Sequence, residues 1–215
     1  MLSGFSLDIF LGRLLVIFLG IPIHEWAHCW VASLLGDETP GMEGRLTLNP
    51  FAHLDLMGTL MILMTGFGWG KAARVNPYGM RRVRNPRTGM ALSALAGPMS
   101  NIIQAMILAI PIRLIMKGWL PFWGEMRMWE ILLAAISVNI GLATFNLLPF
   151  PPLDGSRILA GIAPGPIANF LESLEPYAGM ILMAILFILP QMGLDLVGSM
   201  IGPMQEFLVD ALFLW

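Results

Sequence analysis

The segment His24-Glu25-Trp26-Ala27-His28 lies inside an apolar stretch running from Leu7 to Leu35. Few folds can accommodate both facts. An α-helix turns once every ~3.6 residues, so His24 and His28 project from one face, one turn apart, where two imidazoles can reach a single tetrahedral Zn²⁺. Glu25 stands beside them as a candidate general base for water. Two histidines and a glutamate at the depth of a membrane span are costly without a partner. A metal ion supplies one.

Composition sets the class. The chain is 57% hydrophobic and 12% charged, against about 25% charged residues in soluble domains. This indicates an all-α polytopic membrane protein with about four full spans. A net charge of −2, thinly spread, offers no nucleic-acid footprint. The single cysteine, Cys29, excludes an intramolecular disulfide and reads as a small apolar filler turned away from the His24/His28 face. The first apolar run is too long for a cleavable signal and carries the motif, so it is expected to be retained.

Along the chain, Leu7–Leu35 is the first span, with Gly20 and Pro22 disturbing the helix just before the motif. Irregular backbone at this depth is tolerated where it is buried in protein or lines a cavity. Gly36 to Pro40 carries helix-stop signals. Arg45-Leu46-Thr47-Leu48-Asn49 alternates polar and apolar residues, as a short strand does. Leu54–Phe67 is apolar but short, which suits a re-entrant or interfacial hairpin segment. A break at Gly66-Phe67-Gly68-Trp69-Gly70 leads into Lys71, Arg74, Arg81, Arg82, Arg84 and Arg87 with no acidic residue between them, which places this loop in the cytoplasm.

Gly89–Met116 is the second span, and its small residues around Ala94–Asn101 favour close helix packing. Trp119, Trp123 and Trp129 suggest an aromatic belt. Trp129–Leu148 is the third span. After the Pro149-Phe150-Pro151-Pro152 break, a last span is expected at about 177–203, kinked at Pro190. Residues 1–215 read as one integral membrane domain with a core at about 7–160. If Leu54–Phe67 does not cross, both termini are outside and His24 and His28 lie in the cytoplasmic half of the membrane; if it crosses, the N-terminus is cytoplasmic instead.

A catalytic zinc needs a third protein ligand and an open position. His53 is the only other histidine. Among carboxylates, Asp154 stands out, because it follows a span within a Pro-rich break and Gly155 permits a close turn after it. An Asp there without a metal or a basic partner would be costly.

His24-Glu25-x-x-His28 together with Asn146-x-x-Pro149-x-Pro151-x-Leu153-Asp154-Gly155 resembles the site-2 protease family of intramembrane zinc metalloproteases. Asn49-Pro50-x-x-His53-x-Asp55 and Ala96-Gly97-Pro98-x-x-Asn101 resemble motifs of its small bacterial and archaeal branch, which has no inserted PDZ or CBS domain. The resemblance implies a three-helix catalytic core and one zinc held by His24, His28 and Asp154, with Glu25 as base. It also implies a prokaryotic cell membrane, an active site toward the cytoplasm, and transmembrane proteins as substrates. Asn146, His53 and Asn101 are candidates for substrate or oxyanion contacts. Each has a plainer alternative: Asn146 bonding backbone freed near Pro149, His53 capping the re-entrant element, and Asn101 bonding between helices. Homo-oligomerisation stays open. A divalent-metal transporter using the same His and Asp ligands is the competing class. Against it, Glu25 sits where a base is wanted, and no polar path leads to both sides.

Overall fold

The computed structural model describes residues 7–65, 68–119 and 126–213. Gly66, Phe67 and Trp123, named above, lie outside these. Among the described residues, five helices are long and apolar enough to cross a membrane: α1 (Leu7–Leu34), α3 (Pro86–Met116), α4 (Met128–Asn146), α6 (Gly165–Met192) and α7 (Leu196–Phe213). Two shorter helices stand among the described residues, α2 (Leu56–Thr65) and α5 (Asp154–Ile162), beside a few single turns. The protein is thus an all-α, multi-spanning membrane protein. Its polarity is inverted: Asn101, Asn139 and Thr144 are buried, while Ile103, Met106, Ile107 and Ile110 of α3 face outward.

Helix α1 is interrupted by a π-helical turn over Val16–Gly20, where the Ile21 amide donates to Val16 O, five residues back. Pro22 explains the position, since it has no N–H to continue the α pattern. The helix ends in a Schellman motif: Gly36 donates to Ser33 O and Asp37 to Ala32 O, with Gly36 at φ 104°. Asp37 then ties down the basic loop. Its buried carboxylate accepts from the Thr39 amide at 3.0 Å and the Asn76 amide at 2.7 Å. Arg82 adds a bond from its guanidinium to Leu34 O at 2.9 Å.

The expected strand at Arg45–Asn49 does not form. The only β-bridge among the described residues pairs Leu54 with Gly70. The polar members of the alternation make local bonds instead. Arg45 donates to Ala52 O, and the Asn49 amide donates to Thr47 Oγ1. The Asn49 side chain caps the single turn Pro50–His53 by accepting from the Phe51 amide.

Helix α2 has 10 residues, which reach about 15 Å, half of a hydrocarbon core of about 30 Å. Polar groups hold both ends. The Asp55 carboxylate accepts from the Gly58 amide, and Arg13 of α1 donates to Leu63 O at 2.6 Å.

Helix α3 packs most closely on α4, α1 and α5. Its buried side is a four-residue repeat of small or polar residues, Gly89, Ser93, Gly97, Asn101, Ala105 and Ala109. That stripe lets neighbouring backbones approach, as small residues do in membranes.

The single last span expected at about 177–203 is corrected: it is two helices. Gly193 adopts φ 80°, and Asp195 caps α7 by accepting from the Gly198 amide at 2.8 Å. Continuous hydropathy hid a stop signal followed directly by a start signal. Leu182 and Leu186 of α6 and Val197 and Ile201 of α7 pack over Phe145, Leu148 and Leu153, which clamps the Pro-rich break in place.

Candidate metal centre

The C-terminal segment of α1 brings His24 and His28 together, and their rings stand nearly perpendicular at 85°. Their Nε2 atoms are 3.0 Å apart. Asp154, in the first turn of α5, places Oδ2 3.4 Å from His24 Nε2 and 3.3 Å from His28 Nε2. A tetrahedral ion with ligands at about 2.0–2.1 Å spaces them about 3.3–3.4 Å apart. All three side chains are buried and form a group able to hold a metal ion.

The hydrogen bonds around the rings decide what this cluster is. His24 Nδ1 lies 2.6 Å from Asn101 Oδ1, and His28 Nδ1 lies 2.7 Å from the Ser93 carbonyl. A carbonyl oxygen only accepts, so both Nδ1 atoms carry protons, and in the neutral rings both Nε2 atoms present lone pairs. Asp154 Oδ2 is buried without a hydrogen-bond partner. With both imidazoles neutral, three acceptors converge with no proton among them. Leaving even one such buried acceptor unpaired costs about 1–3 kcal/mol. A divalent cation reverses the sign of that arrangement, so these residues fit one.

Close packing holds the donors. A Cβ on Gly97 would overlap the His28 ring and come within 2.7 Å of His24 Cε1. Only glycine allows α3 to lie flat against both imidazoles. A Cβ on Gly155 would run into the carbonyl oxygens of Leu147 and Leu148. Glycine there lets α5 begin against the end of α4 and brings Asp154 inward.

The other expected site residues are placed as follows. Glu25 is buried, and its Oε2 accepts from the Ala73 amide at 3.1 Å. Its other oxygen faces Gly70, where an added Cβ would stand 3.2 Å from Oε1. The stretch Gly70–Ala73 therefore runs along the carboxylate, held by the Lys71 amide bonding His53 O at 2.7 Å. His53 is fully buried. Its Nε2 donates to Thr47 O at 2.7 Å, and its Nδ1 has no partner among the described residues. Asn146 ends α4, and its Nδ2 donates to Leu142 O at 2.9 Å. Asn101 is fully buried, and its amide bonds His24 and Asn139. Ser93, Gly97, Asn139 and Ala73 were given no role at the metal from the sequence, Gly97 appearing only within the Ala96-Gly97-Pro98-x-x-Asn101 motif. For the first two, the four-residue repeat through Asn101 was the available signal.

Comparison with known proteins places this architecture. The profile of peptidase family M50 matches residues 115–189, which include Asp154. The "Putative zinc metalloprotease YwhC" of Bacillus subtilis (strain 168) is 37% identical over 178 residues, covering 82% of this chain and 80% of that protein. Proteins with the same description are Rip2 of Mycobacterium tuberculosis (strain H37Rv), at 28% identity over 78% of this chain and 63% of its own length, and MJ0611 of Methanocaldococcus jannaschii, at 28% over 73% of each. No solved structure matches.

A buried donor set of His24 and His28 on a membrane-spanning helix and Asp154 on α5 suits a metal-dependent enzyme of the membrane. The chain belongs to peptidase family M50, the zinc metalloproteases, in agreement with the site-2 protease resemblance. This membership decides against the transporter reading. The similar proteins are bacterial and archaeal, so the chain is an integral membrane protein of prokaryotic type.

Proposed function

We propose that the protein holds one Zn²⁺ through His24 Nε2, His28 Nε2 and Asp154 Oδ2, and cleaves peptide bonds within or near the transmembrane helices of other membrane proteins. The observation carrying this reading is the convergence of three buried, unprotonated acceptors on one point. Zinc bound there would supply a Lewis acid that polarises a carbonyl and lowers the pKa of water toward about 7. Glu25 takes the proton from the attacking water and later hands it to the leaving amine. The Ala73 amide orients the Glu25 carboxylate for this task. Asn146 and His53 stand as candidate contacts for the substrate carbonyl, and α1, α3 and α4 form the catalytic core of a single domain.

A folded substrate helix has every carbonyl engaged four residues on. Local unwinding must precede attack. In proteoliposomes, a substrate span carrying Gly, Pro or Asn near the cut is expected to be cleaved faster than one with Leu or Ala there, at equal binding. Mass analysis should place the cut within or beside the span. Equal rates across such a series would remove unwinding as a controlling step, and cuts confined to soluble loops would refute intramembrane cleavage.

Orientation follows from charge. The basic loop Lys71–Arg87 faces the cytoplasm, α2 does not cross, and the metal centre lies in the cytoplasmic half of α1. With α6 and α7 both crossing, the termini lie on opposite faces, N-terminus outside. An Arg84→Cys probe on a Cys29→Ala background is expected to resist an impermeant thiol reagent added outside intact cells. Ready labelling from outside would invert this topology.

A further inference from the structure

His28 and His24 have their tautomers set in different ways. Ser93 O, a main-chain carbonyl, accepts the His28 Nδ1 proton directly. His24 meets only a side-chain amide, that of Asn101, at 2.6 Å. An amide can present either its oxygen or its nitrogen, so Asn101 alone leaves the His24 proton undetermined. The next bonds settle it. Asn101 Nδ2 donates to Asn139 Oδ1 at 2.9 Å, and Asn139 Nδ2 donates to the Ala135 carbonyl at 3.0 Å. Ala135 O can only accept. It forces Asn139 to present its oxygen to α3, which forces Asn101 to present its own oxygen to α1. All three side chains are buried, so water is not positioned to substitute.

Resting on the zinc site proposed above, we propose that Asn139 is a positioning residue: through Asn101 it fixes the Nδ1–H tautomer of His24 and so keeps the His24 Nε2 lone pair free for the metal. Asn139 touches neither ligand atoms nor substrate. Its effect passes from α4 across α3 to α1, and is anchored on a main-chain carbonyl that no rotamer change can reverse. Without Asn139, only the longer 3.5 Å bond from Asn101 Nδ2 to the Gly20 carbonyl opposes the amide turning over to donate to His24 Nδ1. The histidine then carries its proton on Nε2, where it cannot ligate.

The test is a rescue. Removing the partner of a ligating histidine lowers metal affinity about 10–100-fold, and Asn139→Leu is expected to do so, measured by chelator competition on purified protein. Its Co²⁺-substituted form should show an altered visible spectrum. Asn101→Asp accepts from His24 whichever way it faces, so adding it to Asn139→Leu should restore affinity to within a few-fold of Asn101→Asp alone. A purely structural role for Asn139 would not be rescued by a carboxylate on another helix. Parental affinity in Asn139→Leu, or a loss that Asn101→Asp leaves in place, overturns the proposal. Should Asn139→Leu not purify, the same comparison is made with Asn139→Ala. Absence of tight zinc from the parent protein would instead refute the metal site itself, so the two failures are distinct.

Discussion

Glu25→Gln is expected to lower cleavage of a membrane substrate by at least about 10²-fold while leaving metal content unchanged. The magnitude is the usual contribution of a positioned acid–base group. Glutamine keeps the length of the side chain and can still accept from the Ala73 amide, which in the parent bonds Oε2 at 3.1 Å. It cannot take a proton from water. The donor set His24, His28 and Asp154 does not include Glu25, so zinc retention should be that of the parent. Parallel assays of cleavage and metal content on one preparation check both halves. Ordinary turnover by this variant would take Glu25 out of the chemistry.

Gly97→Ala, the second large effect, follows from packing alone. The added methyl would overlap His28 Nε2 and Cε1 and crowd His24 Cε1 at 2.7 Å. Backbone of a long helix and two ligand rings must share that displacement, and neither is the loose end of a flexible chain. Displaced rings no longer aim both Nε2 atoms at the point they share with Asp154 Oδ2. Metal affinity is expected to fall at least about 10-fold, the lower end of what losing orientation at a ligand costs, with cleavage falling in step. Chelator competition checks this. Gly89→Ala makes a useful contrast, since its new methyl would meet the side chains of Met80 and Val83 rather than the ligands.

The buried cluster of His24, His28 and Asp154 was legible because the spacing of such donors is itself the chemistry. His24 and His28 are one helical turn apart, and Asp154 is marked by the Pro-rich break and Gly155. Hydropathy located α1, α3 and α4 for the same reason: burial in lipid is written residue by residue. Other features depend on contacts far apart in the sequence. The alternation at Arg45–Asn49 looked like a strand, but among the described residues it forms no bridge, and Asn49 serves as a helix cap instead. Gly193 and Asp195 divide the last apolar stretch, although hydropathy runs through them unbroken. Glu25 meets Ala73, 48 positions away. Asn139 is an amide in the middle of an apolar span, and nothing in its spacing connects it to His24. Its meaning comes only from the packing of α1, α3 and α4 on one another.

The most direct test of the account is zinc content per chain in four purified proteins: parent, Glu25→Gln, His24→Ala and Asp154→Ala. About one tightly held zinc is predicted in the parent and in Glu25→Gln. Close to none should remain in His24→Ala and Asp154→Ala, because two remaining protein ligands hold the ion poorly. Undiminished zinc in either ligand variant, or none in the parent, would contradict the assignment of His24, His28 and Asp154 as the metal centre.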